Sequence, residues 1–439
     1  MENILILILY LISWTVLSYL VYKYCGGIKN NITYFYVMSW LFLYDFLTPL
    51  YGLANNWLML FGNDISDYFF TGVSYTILSM FFLTLGYFFR ANQRNIKTVA
   101  INTECETKYN NISITFSRCI LIISVLSVII WAIISGYGLR ALFMVNLFSD
   151  GVSDWSDDSY YRYNYLKQVF EMSLPALLIA YSAKMPRKEL IFWFAICTTI
   201  ILSFGFRYRI IILIFSFVIY YVLTNDINKR KIIKILIILA TFISLNVAYG
   251  NARGYIKNLT RDGSEVIEYQ KKEYNPIENL FRYTRNYISN MSFIKYIDHG
   301  EAEHDYGESM FGQIFIRALP KTLFENNEKP FPKSLEFSAK SWNSEEGLRA
   351  GEAFTYVIEL YFSFGLPGIV FLSWFFGYIL RLLIERAYNY YGIVFVSLTT
   401  ASLFHYVTRG YLPGYLMSYM YMLIPLLIFK RILYNSGVR

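Results

Sequence analysis

Apolar stretches long enough to cross a bilayer recur along this chain, separated mostly by short polar connections. They fall at 4–22, 33–53, 68–89, 117–135, 169–183, 190–206, 210–224, 232–249, 353–380, 390–405 and 413–429. A hydrocarbon layer of ~30 Å needs about 20 residues of helix. The pattern therefore predicts an all-α polytopic membrane protein with about eleven (10–12) transmembrane helices. One connection differs from the rest. Residues 250–352 form a stretch of about a hundred residues carrying 14 basic and 16 acidic side chains. It reads as a large extracytoplasmic loop containing amphipathic helices, set within a single membrane domain over 1–439.

Composition supports this reading. Of 439 residues, 56% are apolar when tyrosine is counted, and only 16% are charged. Soluble domains carry ~25% charged residues. A chain with this balance could not cover itself with polar surface, so a soluble domain, a disordered chain and a fibre are all excluded.

The net charge of +8 suggests nucleic acid until its distribution is seen. Lys23, Lys29, Arg90, Arg94, Lys97, Lys108, Arg118, Lys184, Arg187, Lys188, Lys229, Arg230, Lys231 and Lys234 all lie in or beside odd-numbered connections. Arg381, Arg386 and the tail follow the same rule. Short basic connections stay in the cytoplasm, which predicts an outer N-terminus and an inner C-terminus. Cytoplasmic connections then hold 19 basic and 5 acidic residues, and outer segments 20 and 23. The charge is an orientation signal, and no nucleic-acid partner is expected. The first span lacks a basic leader and a small-residue cleavage site, and is too long for a signal core, so it should remain as a span. Cys25, Cys105 and Cys119 fall on the cytoplasmic side and Cys197 in a span, so no disulfide framework is expected.

Within the long loop, Asn275-Pro276-Ile277-Glu278 reads as an N-cap, a proline at the first helical position and a capping-box acid. Ile277, Leu280, Phe281, Tyr287, Ile288 and Met291 recur at helical spacing, with Thr284 as a polar gap, Lys295 as an interruption and Gly300 to close the helix. Arg282 and Arg285 lie off the stripe. They mark either a solvated face or an amphipathic helix on the outer membrane surface, presenting arginine to anionic head groups. The outer segment 136–168, with Asp150, Asp154, Asp157, Asp158, Tyr160, Tyr161 and Arg162, suits either a sugar-binding surface or an ordinary loop.

Candidate chemistry gathers at two places. Phe204-Gly205-Phe206-Arg207-Tyr208-Arg209 lies between two spans that leave almost no residues for the outer turn. That fixes Arg207 and Arg209 near the outer mouth, where a planar guanidinium meets phosphate oxygens. The alternative is a pair of arginines snorkelling to the interface. The second place is the segment from Arg349 to Glu359, which enters a span. If it is helical throughout, Arg349, Glu352, Tyr356 and Glu359 share one face. A buried carboxylate there is poised for proton transfer, or else only pairs with Arg to orient the helix. Gly365-Leu366-Pro367-Gly368 should break or kink that span. Asp45 lies deep in the second span, as either a functional acid or a structural partner. His299 and His304 are five apart and share no helix face, so no metal site and no cofactor are expected.

Several further stretches are distinctive: Gly205-Phe206-Arg207, then Tyr306-Gly307-Glu308-Ser309, Leu319-Pro320-Lys321-Thr322-Leu323-Phe324 and Lys329-Pro330, and the run Glu359 to Gly368. In these the chain resembles the Wzy-type polymerases of O-antigen and related oligosaccharide repeat units. Arg349 and Gly365 also fit an Arg-x15-Gly spacing seen in some members. Lys321 stands where arginine is common, and a second copy of the motif in the other outer loop is missing. The resemblance implies a metal-independent glycosyltransferase of the bacterial cytoplasmic (inner) membrane, multi-pass, with its large loop on the periplasmic face, acting in lipopolysaccharide or other polysaccharide biosynthesis. Its partners would be undecaprenyl-pyrophosphate-linked glycans, membrane lipid and a chain-length regulator protein. Glu352 or Glu359 would be the base. Arg349 and Arg207, with Arg209, Arg282, Arg285, Lys321 and Tyr356, would hold pyrophosphate or glycan. Two other readings remain open: an O-antigen ligase, expected to carry a His near the loop's exit, and a flippase or other transporter, expected to show internal repeats.

Overall fold

A computed structural model describes residues 2–60, 63–91, 103–134, 164–204, 207–226, 275–319, 321–325, 328–340 and 353–437, with a few isolated positions between 228 and 244. Apart from a two-residue antiparallel pairing of Met59–Leu60 with Asn63–Asp64, these residues are helical or form turns and loops. Among them, seven helical segments are long and apolar enough to cross a membrane: Glu2–Cys25, Lys29–Ala54, Ser66–Arg90, Thr107–Ile134, Tyr356–Ile384, Tyr390–Arg409 and Leu412–Asn435. Tyr208–Thr224 is apolar but shorter. The spans expected at 169–183 and 190–206 are occupied by the helices Ser173–Ser182 and Arg187–Ser203, 10 and 17 residues long. The span expected at 232–249 lies largely outside the described residues.

The chain divides into two compact units. The first comprises 1–97, 281–386 and 402–417. Its spine is the pair α4 (Phe69–Ala91) and α14 (Tyr356–Ile384), lined by α1 (Glu2–Cys25) and α2 (Ile32–Phe42), with α3 (Thr48–Ala54) continuing from α2 through the turn Leu43–Leu47. Glycine allows the two spine helices to touch backbone to backbone. A Cβ at Gly86 would fall 1.8 Å from the Trp374 carbonyl, and one at Gly377 would fall 1.9 Å from that of Leu83. Lipid-embedded helices associate through such small residues and through hydrogen bonds. Here Ser79 Oγ bonds both the Tyr356 hydroxyl (2.7 Å) and Ser373 Oγ (2.8 Å) across the seam.

The expected helix from Pro276 to Gly300 is split. Asn275 Oδ1 does cap its start, accepting the N–H groups of Ile277 (3.1 Å) and Glu278 (3.2 Å). The helix then stops as α10 (Pro276–Tyr283) and resumes as α11 (Tyr287–Asp298). The polar residues that interrupt the apolar stripe cause the break, because tertiary partners take their side chains. Thr284 Oγ1 meets Thr48 Oγ1 at 2.7 Å, and the Asn286 amide donates to the Thr408 carbonyl. Gly300, at φ +71°, closes α11 as the pattern predicted. Its N–H reaches Ile297 O and that of Glu301 reaches Tyr296 O, the two bonds of a Schellman motif. All residues from Tyr287 to Ile294 are buried, so α11 lies inside the unit and not on a membrane surface.

The second unit comprises 98–280, 387–401 and 418–439. It contains α5 (Thr103–Ile134), α6 (Asn164–Val169), α7 (Ser173–Ser182), α8 (Arg187–Ser203) and α9 (Arg207–Thr224). Tyr109 joins α5 to α7 through Ser182 Oγ (2.9 Å) and stacks on Tyr390. Arg118 grips Glu189 with two bonds of 2.7 Å. The remaining helices, α12 (Gln313–Ala318), α13 (Lys333–Lys340), α15 (Tyr390–Arg409) and α16 (Leu412–Asn435), complete the chain.

Candidate active site

Glycine and proline at the start of α14 create the site. Gly365 takes φ +63°, ψ −154°, a conformation outside the helical region, and kinks the helix as the Gly-Leu-Pro-Gly run predicted. Gly368 allows the turns on either side to close, since a Cβ there would stand 2.4 Å from the Leu360 carbonyl. The short helical segment before the kink, Tyr356 to Phe364, carries Glu359.

Glu359 is fully buried. Its Oε1 accepts the backbone N–H of Leu412 at 2.7 Å. Leu412 opens α16, so the carboxylate sits at a helix N-terminus, where the dipole favours negative charge. Two consecutive left-handed residues aim that N–H: Gly410 (φ +53°) and Tyr411 (φ +51°). Gly410 is obligatory there, because a Cβ would enter the Phe354 ring at 2.5 Å. The Tyr406 phenol borders the same carboxyl group. Oε2, also buried, completes no hydrogen bond among the described residues.

A second acid, Asp305, lies within electrostatic reach of this carboxylate, and an arginine, Arg317, contacts Tyr411, the residue before Leu412. The Arg317 guanidinium lies 4.7 Å from the centroid of Tyr411, over its ring. Burial pushes the Tyr411 phenol up to about 12, opposed by the Arg317 charge. Asp305, buried and within electrostatic reach of Glu359, accepts the N–H groups of Gly307 (3.0 Å) and Ser309 (2.9 Å). This explains the Tyr-Gly-Glu-Ser stretch. Tyr306 (φ +50°) and Gly307 (φ +86°) make a left-handed turn around Asp305, and Gly307 sits so close to Phe364 that a Cβ would be 2.7 Å from its ring. Ser309 Oγ accepts the Ser334 N–H (3.2 Å), and Lys333 pairs with Glu308 (2.8 Å). Lys329 donates to the Arg317 carbonyl (2.7 Å), so the Lys-Pro motif holds the segment that carries Arg317. His304 Nδ1 lies 3.2 Å from the Phe362 carbonyl, beside the kink.

The expected site residues fare differently. Glu359 is central. Tyr356, expected to meet substrate, is fully buried, as Glu359 is, and bonds Ser79. The helical face proposed from Arg349 to Glu359 does not extend that far, because Thr355 is extended (ψ 162°) and the helix begins at Tyr356. Arg349 and Glu352 lie outside the described residues. Arg285, half-buried, precedes Asn286, whose amide holds Thr408, while the exposed Arg409 follows Thr408. Arg282 is half-buried in the last turn of α10. Lys321 lies in a short 3-10 turn, and Arg207 opens α9. Arg209 belongs to the second unit, where it is buried and paired with Glu171. Beside that pair the buried Lys167 ammonium lies 4.8 Å from the Phe204 ring centroid. Asp45, also buried, occupies a π-helical turn, Leu43–Leu47, with Oδ1 3.4 Å from the Asn290 amide nitrogen.

Sequence reasoning missed Arg317, Arg409, Tyr411, Asn286 and Asn290. The run Arg409-Gly-Tyr-Leu-Pro-Gly414 between two spans was the available signal, since Gly followed by Pro marks a tight, specified turn.

Fold and site together define a polytopic helical membrane protein whose first unit buries a carboxylate at a helix start, bordered by a tyrosine and a second acid. The sequence profile of the O-antigen polysaccharide polymerase Wzy matches residues 1–436, and the chain belongs to this family. No match was found among curated proteins or solved structures.

Proposed function

We propose that this chain joins oligosaccharide repeat units on the outer face of the bacterial cytoplasmic membrane. A polyprenyl-pyrophosphate-linked glycan is the donor and a lipid-linked repeat unit the acceptor. In the reaction an acceptor hydroxyl gives its proton to Glu359 as its oxygen bonds the donor's anomeric carbon. The bond from that carbon to the pyrophosphate breaks, and the electron pair leaves with the phosphate oxygen. The leaving group needs its charge met, which guanidinium groups supply. Arg317 is the first candidate, with Arg285, Arg282 and Arg409 in the same unit. Arg349, Glu352, Arg207, Arg209 and Lys321 remain proposed contributors. The positive-inside distribution of Lys and Arg supports the outer placement of the long loop.

The observation that carries the reading is Glu359, buried with one oxygen fixed by Leu412 and the other unbonded among the described residues, in a chain of the Wzy family. The test is a glycan gel after deletion of the gene, with rescue by wild type or Glu359→Gln. Loss of the ladder with one unit still attached to the acceptor, not rescued by Glu359→Gln, is expected. Loss of every unit, the first included, would defeat the polymerase reading.

A further inference from the structure

Two asparagines, Asn286 at the N-cap of α11 and Asn290 within it, reach toward the two partners of the Glu359–Leu412 bond by separate routes. Asn290 holds Thr355 at both ends: its Oδ1 accepts the Thr355 N–H (2.9 Å), and its amide donates to Thr355 Oγ1 (3.0 Å). Thr355 is the residue on which α14 starts, and its carbonyl accepts the N–H of Glu359 (3.3 Å). Asn290 is thus one residue removed from the Glu359 backbone. The second route starts one helical turn earlier. The Asn286 amide donates to the Thr408 carbonyl, four residues before Leu412 and two before the left-handed Gly410–Tyr411 turn. Residues four apart share a helix face. Both side chains are buried, as is the whole length of α11 between them. The Thr355 N–H can only donate, so it sets the Asn290 amide oxygen toward Thr355 and leaves the amide nitrogen facing Asp45 Oδ1, 3.4 Å away.

We infer that Asn286 and Asn290 form a clamp that positions Glu359 against Leu412, with Asp45 facing the Asn290 amide nitrogen. They are positioning residues that touch no substrate. The inference rests on the reading of Glu359 as the base. A rigid α11 gives the clamp its function. Moving either asparagine's partner changes the angle at which Oε2 meets an acceptor hydroxyl, and misplacement by ~1 Å costs on the order of 100-fold in rate.

The test uses the full chain in proteoliposomes with lipid-linked repeat units, with kcat normalised to monodisperse protein. Asn290→Ala and Asn286→Ala should each lower kcat by roughly 10- to 100-fold with little change in KM. The double variant should cost scarcely more than the worse single one, because both act on one bond. In a Glu359→Gln background, Asn290→Ala should have no further effect on the residual rate. The exchange Asp45→Asn/Asn290→Asp keeps one carboxylate and one amide in the pair, and should recover most of the rate that Asn290→Asp alone loses. Wild-type kcat in Asn290→Ala beside an inactive Glu359→Gln would overturn the clamp and leave the base standing. Equal losses with and without Glu359, or no recovery in the exchange, would show a merely structural role and also overturn it. Full activity of Glu359→Gln would remove the base, and the clamp with it.

Discussion

The carboxylate of Glu359 and the backbone N–H of Leu412 meet at 2.7 Å, joining the start of α14 to the start of α16. The bond separates chemistry from structure in a useful way. A glutamine at 359 still offers an oxygen to Leu412 but cannot take a proton. Glu359→Gln should therefore fold, with a thermal midpoint near wild type, and lose polymerisation by at least about 100-fold, the usual worth of a general base. Glu359→Ala also strands the buried N–H, adding about 1–3 kcal/mol of destabilisation. Ladder length and thermal midpoint, read together, check both. A glutamine variant with full ladders would sink the assignment.

Gly365 tests the kink. Its ψ of −154° at φ +63° suits glycine alone. A Cβ there would have room, with His304 Nε2 the nearest atom at 3.4 Å, so the cost of Gly365→Ala is backbone strain of about 1–3 kcal/mol. Gly368→Ala should lose stability by a different cause, collision with the Leu360 carbonyl at 2.4 Å. Both should lower the thermal midpoint in detergent. An unchanged midpoint in Gly365→Ala would mean that the segment before the kink is free to rotate.

In the second unit, Arg209 and Glu171 bury opposite charges against each other. Removing one partner of such a pair costs about 3–5 kcal/mol, because the other charge is stranded. Arg209→Ala and Glu171→Ala should each accumulate poorly in the membrane. Arg209→Met/Glu171→Leu, which removes both charges, should accumulate better than either. Wild-type levels of Arg209→Ala would show that the pair contributes little to folding.

How far the sequence reached follows from which forces are local. Apolar runs fixed most helices, since burial in lipid depends on composition over ~20 residues. The Gly365 kink, the Asn275 cap and the Gly300 closure were also legible, because each is set by a few neighbours. The break at Thr284–Asn286 was not. Thr284 appeared only as a gap in a stripe, and its reason is Thr48, far away in the chain. Glu359 stood out as an acid within a span. Its donor did not, because Leu412 contributes a backbone N–H that no residue type advertises. Extending the helix back to Arg349 failed for a related cause: Asn290 holds Thr355 extended, and that restraint comes from another helix.

Arg317 is where the proposed chemistry is most exposed to test. Its guanidinium lies over the Tyr411 ring, next to the residue whose N–H holds Glu359. A planar fork can stack there and still offer two N–H groups to a phosphate, which a lysine ammonium cannot do. If Arg317 meets the pyrophosphate as the glycosyl bond breaks, Arg317→Lys should retain charge yet lose roughly tenfold in kcat. Arg317→Ala should lose on the order of 100- to 1,000-fold, as for removal of a donor to a developing oxyanion. Tyr411→Phe keeps the ring and should stay within about threefold, since a cation–π contact of ~1 kcal/mol needs no hydroxyl. Steady-state rates on lipid-linked repeat units distinguish the cases. Equal activity of Arg317→Ala and wild type would move the search for the pyrophosphate contact to Arg285 and Arg409. A Tyr411→Phe variant as damaged as Arg317→Ala would show that the phenol itself takes part.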